Sequence, residues 1–187
     1  MHSDNWTNKA KQMGYRSRAV FKLEEILKKI NFKKNFNNVL DIGSAPGGWS
    51  QYIVKNFPRS KVYAVDILDM EPIEGVLFFK ESIEEIDNIE SINNLKRKFN
   101  LVISDIAPNL SGIDAVDSEN VYKLNKLSLK IANDYLDLNG LMVMKTFQNN
   151  MLKSLRKDME LSFKIVQTYK PAASKKQSGE IYLFGAK

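Results

Sequence analysis

The fold is indicated by the stretch Asp41-Ile42-Gly43-Ser44-Ala45-Pro46-Gly47-Gly48-Trp49-Ser50. It follows the apolar residues Val39 and Leu40, which predict a strand, and it leads into a helical pattern. Glycine lacks a Cβ and adopts positive φ, and the first N–H groups of the helix point out of the turn, so a ligand can approach the backbone closely. We therefore predict a strand, a ligand-binding turn and a helix. The alternative is an ordinary strand-to-helix turn.

The next apolar run predicts a second strand that ends in a carboxylate: Lys61-Val62-Tyr63-Ala64-Val65-Asp66. An acidic residue at this place can accept hydrogen bonds from the hydroxyls of a ribose, as in nucleoside-binding α/β folds. The dinucleotide fingerprint is G-x-G-x-x-G, and Ala45 stands where its second glycine would be. NAD is therefore disfavoured, and we expect Asp66 to hold the ribose of another nucleoside cofactor.

Composition limits the class of protein. A chain of 187 residues with 43% hydrophobic residues can form one domain with a full core, so we expect a single domain over 1–187 that begins with a basic segment, 1–16. The net charge of +6 favours a polyanionic partner. The absence of cysteine excludes disulfides, cysteine-ligated zinc and attack by a thiolate on a pyrimidine ring, and we expect no metal site.

Neither a membrane span nor a targeting signal is evident in the sequence. There is no run of about eighteen apolar residues and no basic-then-apolar leader, so we expect no association with a membrane. The compartment is left open. We expect the cytoplasm if the chain is bacterial, and a mitochondrion or another organelle, after loss of a transit peptide, if it is eukaryotic.

Helical and strand-like patterns alternate along the chain. We predict a first helix over 17–30 with Ser17 as its N-cap, further helices over 50–56, 83–98, 116–136 and 151–161, and strands over 38–42, 61–67, 76–80, 99–106, 140–147, 163–169 and 180–185. Such alternation implies an α/β fold with a mostly parallel sheet and helices on both faces. Only residues 171–179 separate the last two strands, too few for a helical crossover, so the seventh strand is expected to be antiparallel.

Polar residues close three of these strands, and Asp66 of the second strand is one of them. Ligands of open α/β sheets bind beyond the carboxyl ends of the strands, where Asp105 follows the fourth strand and Lys145 follows the fifth. An antiparallel seventh strand would bring its first residue, Glu180, to the same edge. Each residue alone could be a cap or a surface charge, but together they predict a site.

Two motifs resemble a known family. The form D-x-G-x-x-P-G-G-W resembles motif I of S-adenosylmethionine-dependent methyltransferases, and Pro46-Gly47-Gly48-Trp49 is similar to the FtsJ (RrmJ) family of RNA ribose 2′-O-methyltransferases. That family carries a Lys-Asp-Lys-Glu tetrad, and the segments around Lys22, Asp105, Lys145 and Glu180 resemble its four parts. The resemblance implies a Rossmann-like methyltransferase fold and a catalytic role for these residues. The placement of Lys22 rests on the resemblance alone.

The resemblance implies S-adenosylmethionine as cofactor and S-adenosylhomocysteine as product. The expected contacts lie in the glycine-rich stretch and after the second, third and fourth strands: Gly43, Pro46, Gly47, Gly48, Trp49, Asp66, Ile67, Ser82 and Asp105. Trp49 is equally compatible with a core position. Ser82 departs from the family, which commonly has an acidic residue near the adenine at this place.

The substrate is expected to be RNA. The segment Asp105-Ile106-Ala107-Pro108 lacks the [D/N]-P-P-[Y/F] form typical of enzymes that methylate adenine amino groups, so a ribose target is favoured over a base. Basic residues precede Lys22 and occupy the loop before Glu180, where they could contact phosphates: Arg16, Arg18, Lys170, Lys175 and Lys176.

The small size favours one RNA over others. Relatives that modify tRNA anticodon loops or nucleolar precursors tend to carry extensions beyond the catalytic domain, so the resemblance implies methylation of a uridine ribose of large-subunit ribosomal RNA, free or in the pre-ribosomal large subunit. We expect the chain to be a monomer. Two alternatives stay open. One is methylation of tRNA ribose, and the other is a catalytically silent module for RNA binding or ribosome assembly.

Overall fold

The structure is a computed structural model, and it describes residues 5–31, 35–109, 111–175 and 177–187. The described strands are β1 (Asn38–Ile42), β2 (Lys61–Asp66), β3 (Val76–Lys80), β4 (Phe99–Ser104), β5 (Leu136–Phe147), β6 (Ile165–Tyr169) and β7 (Glu180–Ala186). They form one seven-stranded sheet in the order β3-β2-β1-β4-β5-β7-β6.

The sheet is parallel except at β7. β1 pairs in parallel with β2 and β4, and the pairs β2–β3 and β4–β5 are also parallel. β7 runs antiparallel to both β5 and β6, as the short connection between the last two strands predicted. The register pairs Phe147 with Glu180 and Lys145 with Tyr182, so β7 begins beside the carboxyl end of β5.

Helices cover both faces of the sheet and bury two separate cores. They are α1 (Asn5–Gln12), α2 (Ala19–Lys29), α3 (Gly48–Asn56), α4 (Glu90–Asn93), α5 (Asp114–Tyr135) and α6 (Leu152–Glu160). Val39 joins the core that contains α2 and α3, whereas its neighbour Leu40 joins the core that contains α5 and α6, because successive strand side chains point to opposite faces. Among the described residues, no helix is long and apolar enough to cross a membrane.

The structure differs from the local predictions in several places, and β5 begins at Leu136 rather than at 140. The helix predicted over 83–98 is instead a 3₁₀ helix, Ile83–Asn88, followed by the short α4. The apolar residues there, Ile83, Ile86, Ile89 and Ile92, recur every third position, which matches the 3₁₀ repeat better than the α-helical one. The structure also adds α1, which was not predicted, and begins α2 after Arg18 rather than Ser17.

Candidate active site

The glycine-rich turn between β1 and α3 requires its glycines for two reasons. Gly43 has φ 71° and Gly47 has φ 100°, values that L side chains rarely adopt. A Cβ on Gly43 would also lie 2.5 Å from Ile106 Cβ, and one on Gly47 would lie 2.7 Å from Ile73 Cδ1. The loops after β2 and β4 therefore pack directly on the turn, a cause of the glycines that the sequence prediction of close ligand approach did not include.

Asp66 ends β2 and binds the same turn. One carboxylate oxygen accepts the Ala45 N–H at 2.8 Å, and the other accepts the Leu68 N–H, also at 2.8 Å. Each oxygen retains a further lone pair that can accept a hydrogen bond from a hydroxyl group. Next to it, Ile67 is 67% exposed and offers an apolar face beside a buried carboxylate.

The other residues around the turn are either available to a ligand or in contact with other parts of the protein. Ser44 has a buried hydroxyl with no hydrogen-bond partner among the described residues, so a donor or acceptor is available inside the turn. Ser82 is used within the protein, because its hydroxyl accepts the Glu84 N–H at 3.2 Å and caps the 3₁₀ helix. Pro46 is exposed, and Gly48 lies against the side chain of Ser17.

Asp41 of β1 is a buried carboxyl group two residues before Gly43. It is 1% exposed, and the Ser50 hydroxyl donates to its carboxylate at 2.6 Å. Burial raises the pKa of Asp41 to about 7, and the negative charges of Asp105 and Asp66 add to the shift, although the Ser50 hydrogen bond opposes it. The turn therefore sits on a carboxyl group that can hold its proton near neutral pH.

Lys22 and Glu180 form the first half of the tetrad. Lys22 Nζ lies 2.7 Å from Glu180 Oε1, and the two side chains are only 8% and 15% exposed. The Ser174 hydroxyl donates to the same oxygen at 2.7 Å. Burial raises the pKa of Glu180, but the hydrogen bond and charge of Lys22 outweigh it, and the resulting pKa lies below its usual range.

Lys145 and Asp105 form the second half. Lys145 Nζ lies 3.2 Å from Asp105 Oδ1 and also donates to the Asp105 backbone carbonyl. The Asn125 amide of α5 donates to the Lys145 carbonyl at 2.8 Å and fixes the end of β5. Ile106, the residue after Asp105, is the one that packs on Gly43, so the tetrad adjoins the glycine-rich turn.

Tyr182 joins the two pairs and was not predicted as a site residue. It is fully buried, its hydroxyl donates to Asp105 Oδ1 at 2.8 Å, and its ring centroid lies 5.6 Å from Lys22 Nζ. Burial raises the pKa of Tyr182, and the charges of Asp105 and Glu180 raise it further, so the hydroxyl keeps its proton. The available signal was its position two residues after Glu180, on the same face of β7.

Trp49 occupies the core position that the sequence left as the alternative to a cofactor contact. Its side chain is 3% exposed, and its indole N–H donates to the Ala19 carbonyl at 2.7 Å. Its ring centroid lies 5.7 Å from that of Tyr182. Because α3 begins at Gly48, Trp49 falls on the helix face that packs against α2 rather than on the open side of the turn.

The loop before β7 carries three of the predicted RNA-binding residues. Lys170 is exposed, and its Nζ donates to the Ser178 carbonyl at 2.7 Å. Lys175 is exposed in the same loop, and Lys176 lies outside the described residues. The loop leads directly into Glu180, so Lys170 and Lys175 lie at the edge of the sheet where the parallel strands end, and their contact with RNA stays a prediction.

The two predicted arginines precede α2. Arg18 takes the N-cap position of α2 without a side-chain cap. The guanidinium of Arg16 donates to the backbone carbonyls of Pro46, Glu71 and Pro72. This use within the protein was not anticipated, and a contact of Arg16 with RNA stays a prediction.

A cleft of about 760 Å³ lies at the opposite edge of the sheet, and another of about 570 Å³ lies beside the tetrad. The second is bounded by the start of α5 and by the ends of β5 and the loop before β7, and its lining includes Ser118, Phe147, Gln148, Asn149 and Gly179. Since Phe147 pairs with Glu180, this cleft opens next to the tetrad and is wide enough for part of a nucleotide.

Comparisons with known proteins agree with this geometry. The sequence pattern of the family described as FtsJ-like methyltransferase matches residues 15–187. The protein named ribosomal RNA large subunit methyltransferase E of Wigglesworthia glossinidia brevipalpis is 40% identical, over 97% of this chain and 90% of that protein. The protein of the same name from Methanocella arvoryzae is 41% identical, over 97% of this chain and 71% of its own length.

The structural comparison points the same way. A solved structure from Plasmodium falciparum, named as a ribosomal RNA methyltransferase, shares 28% identity with this chain at a TM-score of 0.77. The match covers 92% of this chain and 97% of that one, so it includes most of the sheet and its covering helices. The chain therefore belongs to the FtsJ-like methyltransferase family.

Proposed function

We propose that this chain transfers the methyl group of S-adenosylmethionine to a ribose 2′-hydroxyl of large-subunit ribosomal RNA. The observation that carries the proposal is the pair of buried contacts, Lys22 with Glu180 and Lys145 with Asp105, beside a glycine-rich turn. The names of the relatives from Wigglesworthia and Methanocella support ribosomal RNA as the substrate.

The residues around the turn fit the cofactor. Asp66 would accept the ribose hydroxyls, Ile67 would cover one face of the adenine, and the buried Ser44 hydroxyl supplies a group without a partner in the described chain. When bound, S-adenosylmethionine supplies a methyl group already activated by a sulfonium. The protein's own tasks are to align the ribose and to handle one proton.

Lys145 is the residue we assign to that proton. Lys22 is engaged by Glu180, which Ser174 also binds. Lys145 lies at the carboxyl end of β5, two residues before Phe147, which lines the cleft, so it is the lysine nearer to the place where a ribose could enter. The cofactor would supply the methyl carbon and keep the electrons of the broken carbon–sulfur bond, and the proton of the ribose hydroxyl would pass to Lys145 once its amine carries no charge.

The other members orient this amine. Asp105 binds Lys145 through both its carboxylate and its carbonyl, and Tyr182 fixes the same carboxylate. Asp105 can then receive the proton from Lys145 and pass it to solvent, since its side chain is 22% exposed. Lys22 and Glu180 compensate each other's charge, so neither buried group is left unpaired.

Replacement of Lys145 tests this assignment. We expect Lys145→Ala to lower the single-turnover rate of ribose methylation by about 10²-fold or more, the range for general acid–base catalysis. Lys145→Arg should not restore the rate, because a guanidinium is always charged and cannot accept a proton. The measurement is methyl transfer to pre-ribosomal large subunits, with tRNA as a parallel substrate.

The matched control is Lys123→Ala on α5. Lys123 is 68% exposed in an i,i+4 pair with Glu119, so its replacement should leave the rate unchanged. A near-normal rate for Lys145→Arg would remove Lys145 as the proton acceptor. Methylation of tRNA but not of the ribosomal particle would refute the proposed substrate and leave the reaction standing.

A further inference from the structure

The side chain of Arg16 connects three parts of the backbone. Its Nη1 donates to the Glu71 carbonyl at 2.5 Å and to the Pro46 carbonyl at 3.2 Å, and its Nη2 donates to the Pro72 carbonyl at 2.7 Å. Pro46 belongs to the glycine-rich turn, whereas Glu71 and Pro72 belong to the loop 67–75 that follows β2. One guanidinium therefore holds the loop against the turn.

The backbone of Arg16 is fixed as well. Gln51 of α3 accepts the Arg16 N–H through its Oε1 at 3.1 Å and donates through its Nε2 to the Gly14 carbonyl at 2.8 Å. Arg16 is thus anchored at its main chain by one helix while its side chain reaches two loops. Anchoring the main chain fixes the point from which the side chain extends, and the hydrogen bonds of the guanidinium offset the rotamer entropy lost when the side chain is ordered.

The loop held by Arg16 is the one that carries the predicted nucleoside contacts. It begins directly after Asp66 with the exposed residues Ile67 and Leu68. It returns to pack Met70 and Ile73 against Gly47, where an added Cβ would also lie 3.3 Å from Arg16 Nη1. The guanidinium thus holds the loop beside Gly47, the position at which the turn has no side chain.

We propose that Arg16 is a positioning residue for the cofactor. It holds the loop 67–75 closed on the glycine-rich turn, so that Asp66 and Ile67 are arranged before the cofactor binds. This inference rests on the proposed function, because it takes S-adenosylmethionine as the ligand. It also gives Arg16 a use different from the RNA contact predicted from the sequence.

The charge and shape of arginine are both needed for this role. A guanidinium presents several N–H donors in one plane and can bind carbonyls from two loops together, whereas the single ammonium of lysine cannot span them in the same way. The Arg16→Lys variant would keep the positive charge that attracts RNA phosphates, but it would no longer hold the loop 67–75. Arg16→Lys therefore separates the two roles.

The experiment compares Arg16→Ala and Arg16→Lys with the wild-type chain. We expect both variants to bind S-adenosylhomocysteine about tenfold more weakly in calorimetry, because the binding-competent loop is then populated only part of the time. The KM for S-adenosylmethionine should rise while kcat at saturating cofactor is retained. Amide hydrogen exchange in 67–75 should quicken in the ligand-free protein.

Controls separate this effect from the removal of charge and from a decrease in stability. Lys11→Ala removes one positive charge from the same N-terminal segment and should leave the affinity for S-adenosylhomocysteine unchanged. Gln51→Ala removes the anchor but keeps the guanidinium, and it should weaken that affinity less than Arg16→Ala does. Gln51→Ala also tests the proposal if Arg16→Ala proves unstable in thermal unfolding.

Two results would overturn the inference. If Arg16→Ala binds RNA more weakly but keeps its affinity for S-adenosylhomocysteine, Arg16 contacts RNA and does not position the loop. If the wild-type chain itself does not bind S-adenosylhomocysteine, the proposed cofactor is wrong and the inference is wrong with it.

Discussion

At the scale of single residues, Asp41 shows how burial sets a chemical property. Its carboxyl group is buried, and the negative charges of Asp105 and Asp66 add to the cost of ionising it, whereas hydrogen bonds from the Ser50 hydroxyl and backbone N–H favour the charged form. A buried acid with two acidic neighbours favours its neutral form. The native protein therefore takes up a proton at Asp41 more readily than the unfolded chain does.

This difference makes stability depend on pH. Because burial raises the native pKa of Asp41 from 3.8 to about 7, the native state holds an extra proton between those values, and stability falls as the pH rises through this window. Asp41→Asn removes the titration. The free energy of unfolding of the variant relative to the wild type should increase by roughly 2 kcal/mol from pH 5 to pH 8.

Urea unfolding at a series of pH values measures this difference. Asp69→Asn is the control, because Asp69 is 86% exposed and its substitution should leave the shape of the pH profile unchanged. Parallel profiles for the wild type and Asp41→Asn would contradict the raised pKa.

At the scale of elements, α2 is the part whose position matters most, because it carries Lys22. One tie is the hydrogen bond from Trp49 of α3 to the Ala19 carbonyl, at the first turn of α2. Another is Glu25, whose carboxylate accepts the Ala172 N–H of the loop before β7 at 2.7 Å. The helix is therefore fixed both to the glycine-rich turn and to the loop that delivers Glu180.

Trp49→Phe tests whether Trp49 acts as a core residue. The change keeps an aromatic ring but removes the indole donor and some volume, so it should lower the free energy of unfolding by roughly 1 to 3 kcal/mol. The affinity for S-adenosylhomocysteine should stay close to that of the wild type, since the indole contacts the Ala19 carbonyl and the Tyr182 ring rather than the open side of the turn. A large decrease of that affinity with little change in stability would return Trp49 to the cofactor site.

Elements with strong apolar runs could be predicted from the sequence, and contacts between distant elements could not. The strands and the antiparallel β7 follow from run length and from the short 171–179 connection. Placement of Lys22 beside Glu180 depends on how α2 packs, which no local pattern fixes. Tyr182 was missed because an aromatic residue in a buried strand is ordinarily core, and only its hydroxyl contact with Asp105 distinguishes it.

At the scale of the whole molecule, the edge of the sheet that carries the tetrad combines basic residues with a cleft, although the larger cleft lies at the opposite edge. The chain carries a net charge of +6, and Lys170 and Lys175 lie in the loop that leads to the tetrad. The cleft of about 570 Å³ opens at the same edge. Phosphates bound by these lysines would hold an RNA strand with a ribose near Lys145.

Salt dependence tests this orientation. The affinity for RNA should fall as salt rises, and Lys170→Ala with Lys175→Ala should reduce the slope of log K against log salt by about 1 for each of these lysines that binds a phosphate. Lys61→Ala with Lys164→Ala removes the same charge at the amino ends of β2 and β6, on the opposite edge, and should change the slope less. Equal slopes for the two double variants would mean that RNA does not bind at the tetrad edge.

The ion pair between Lys22 and Glu180 also constrains the order in which the protein can assemble. It joins the helix before the first strand to the start of the seventh, and the contact between Glu25 and Ala172 closes a separation of 147 residues. Contacts between such distant parts of a chain require the closure of a long loop before they contribute, and proteins rich in them fold more slowly. In a folding intermediate in which only β1, β2 and β4 have paired, the glycine-rich turn would be in place, whereas Glu180 and Tyr182 would not yet be. On the proposed mechanism, such an intermediate could hold the cofactor before it is able to transfer the methyl group.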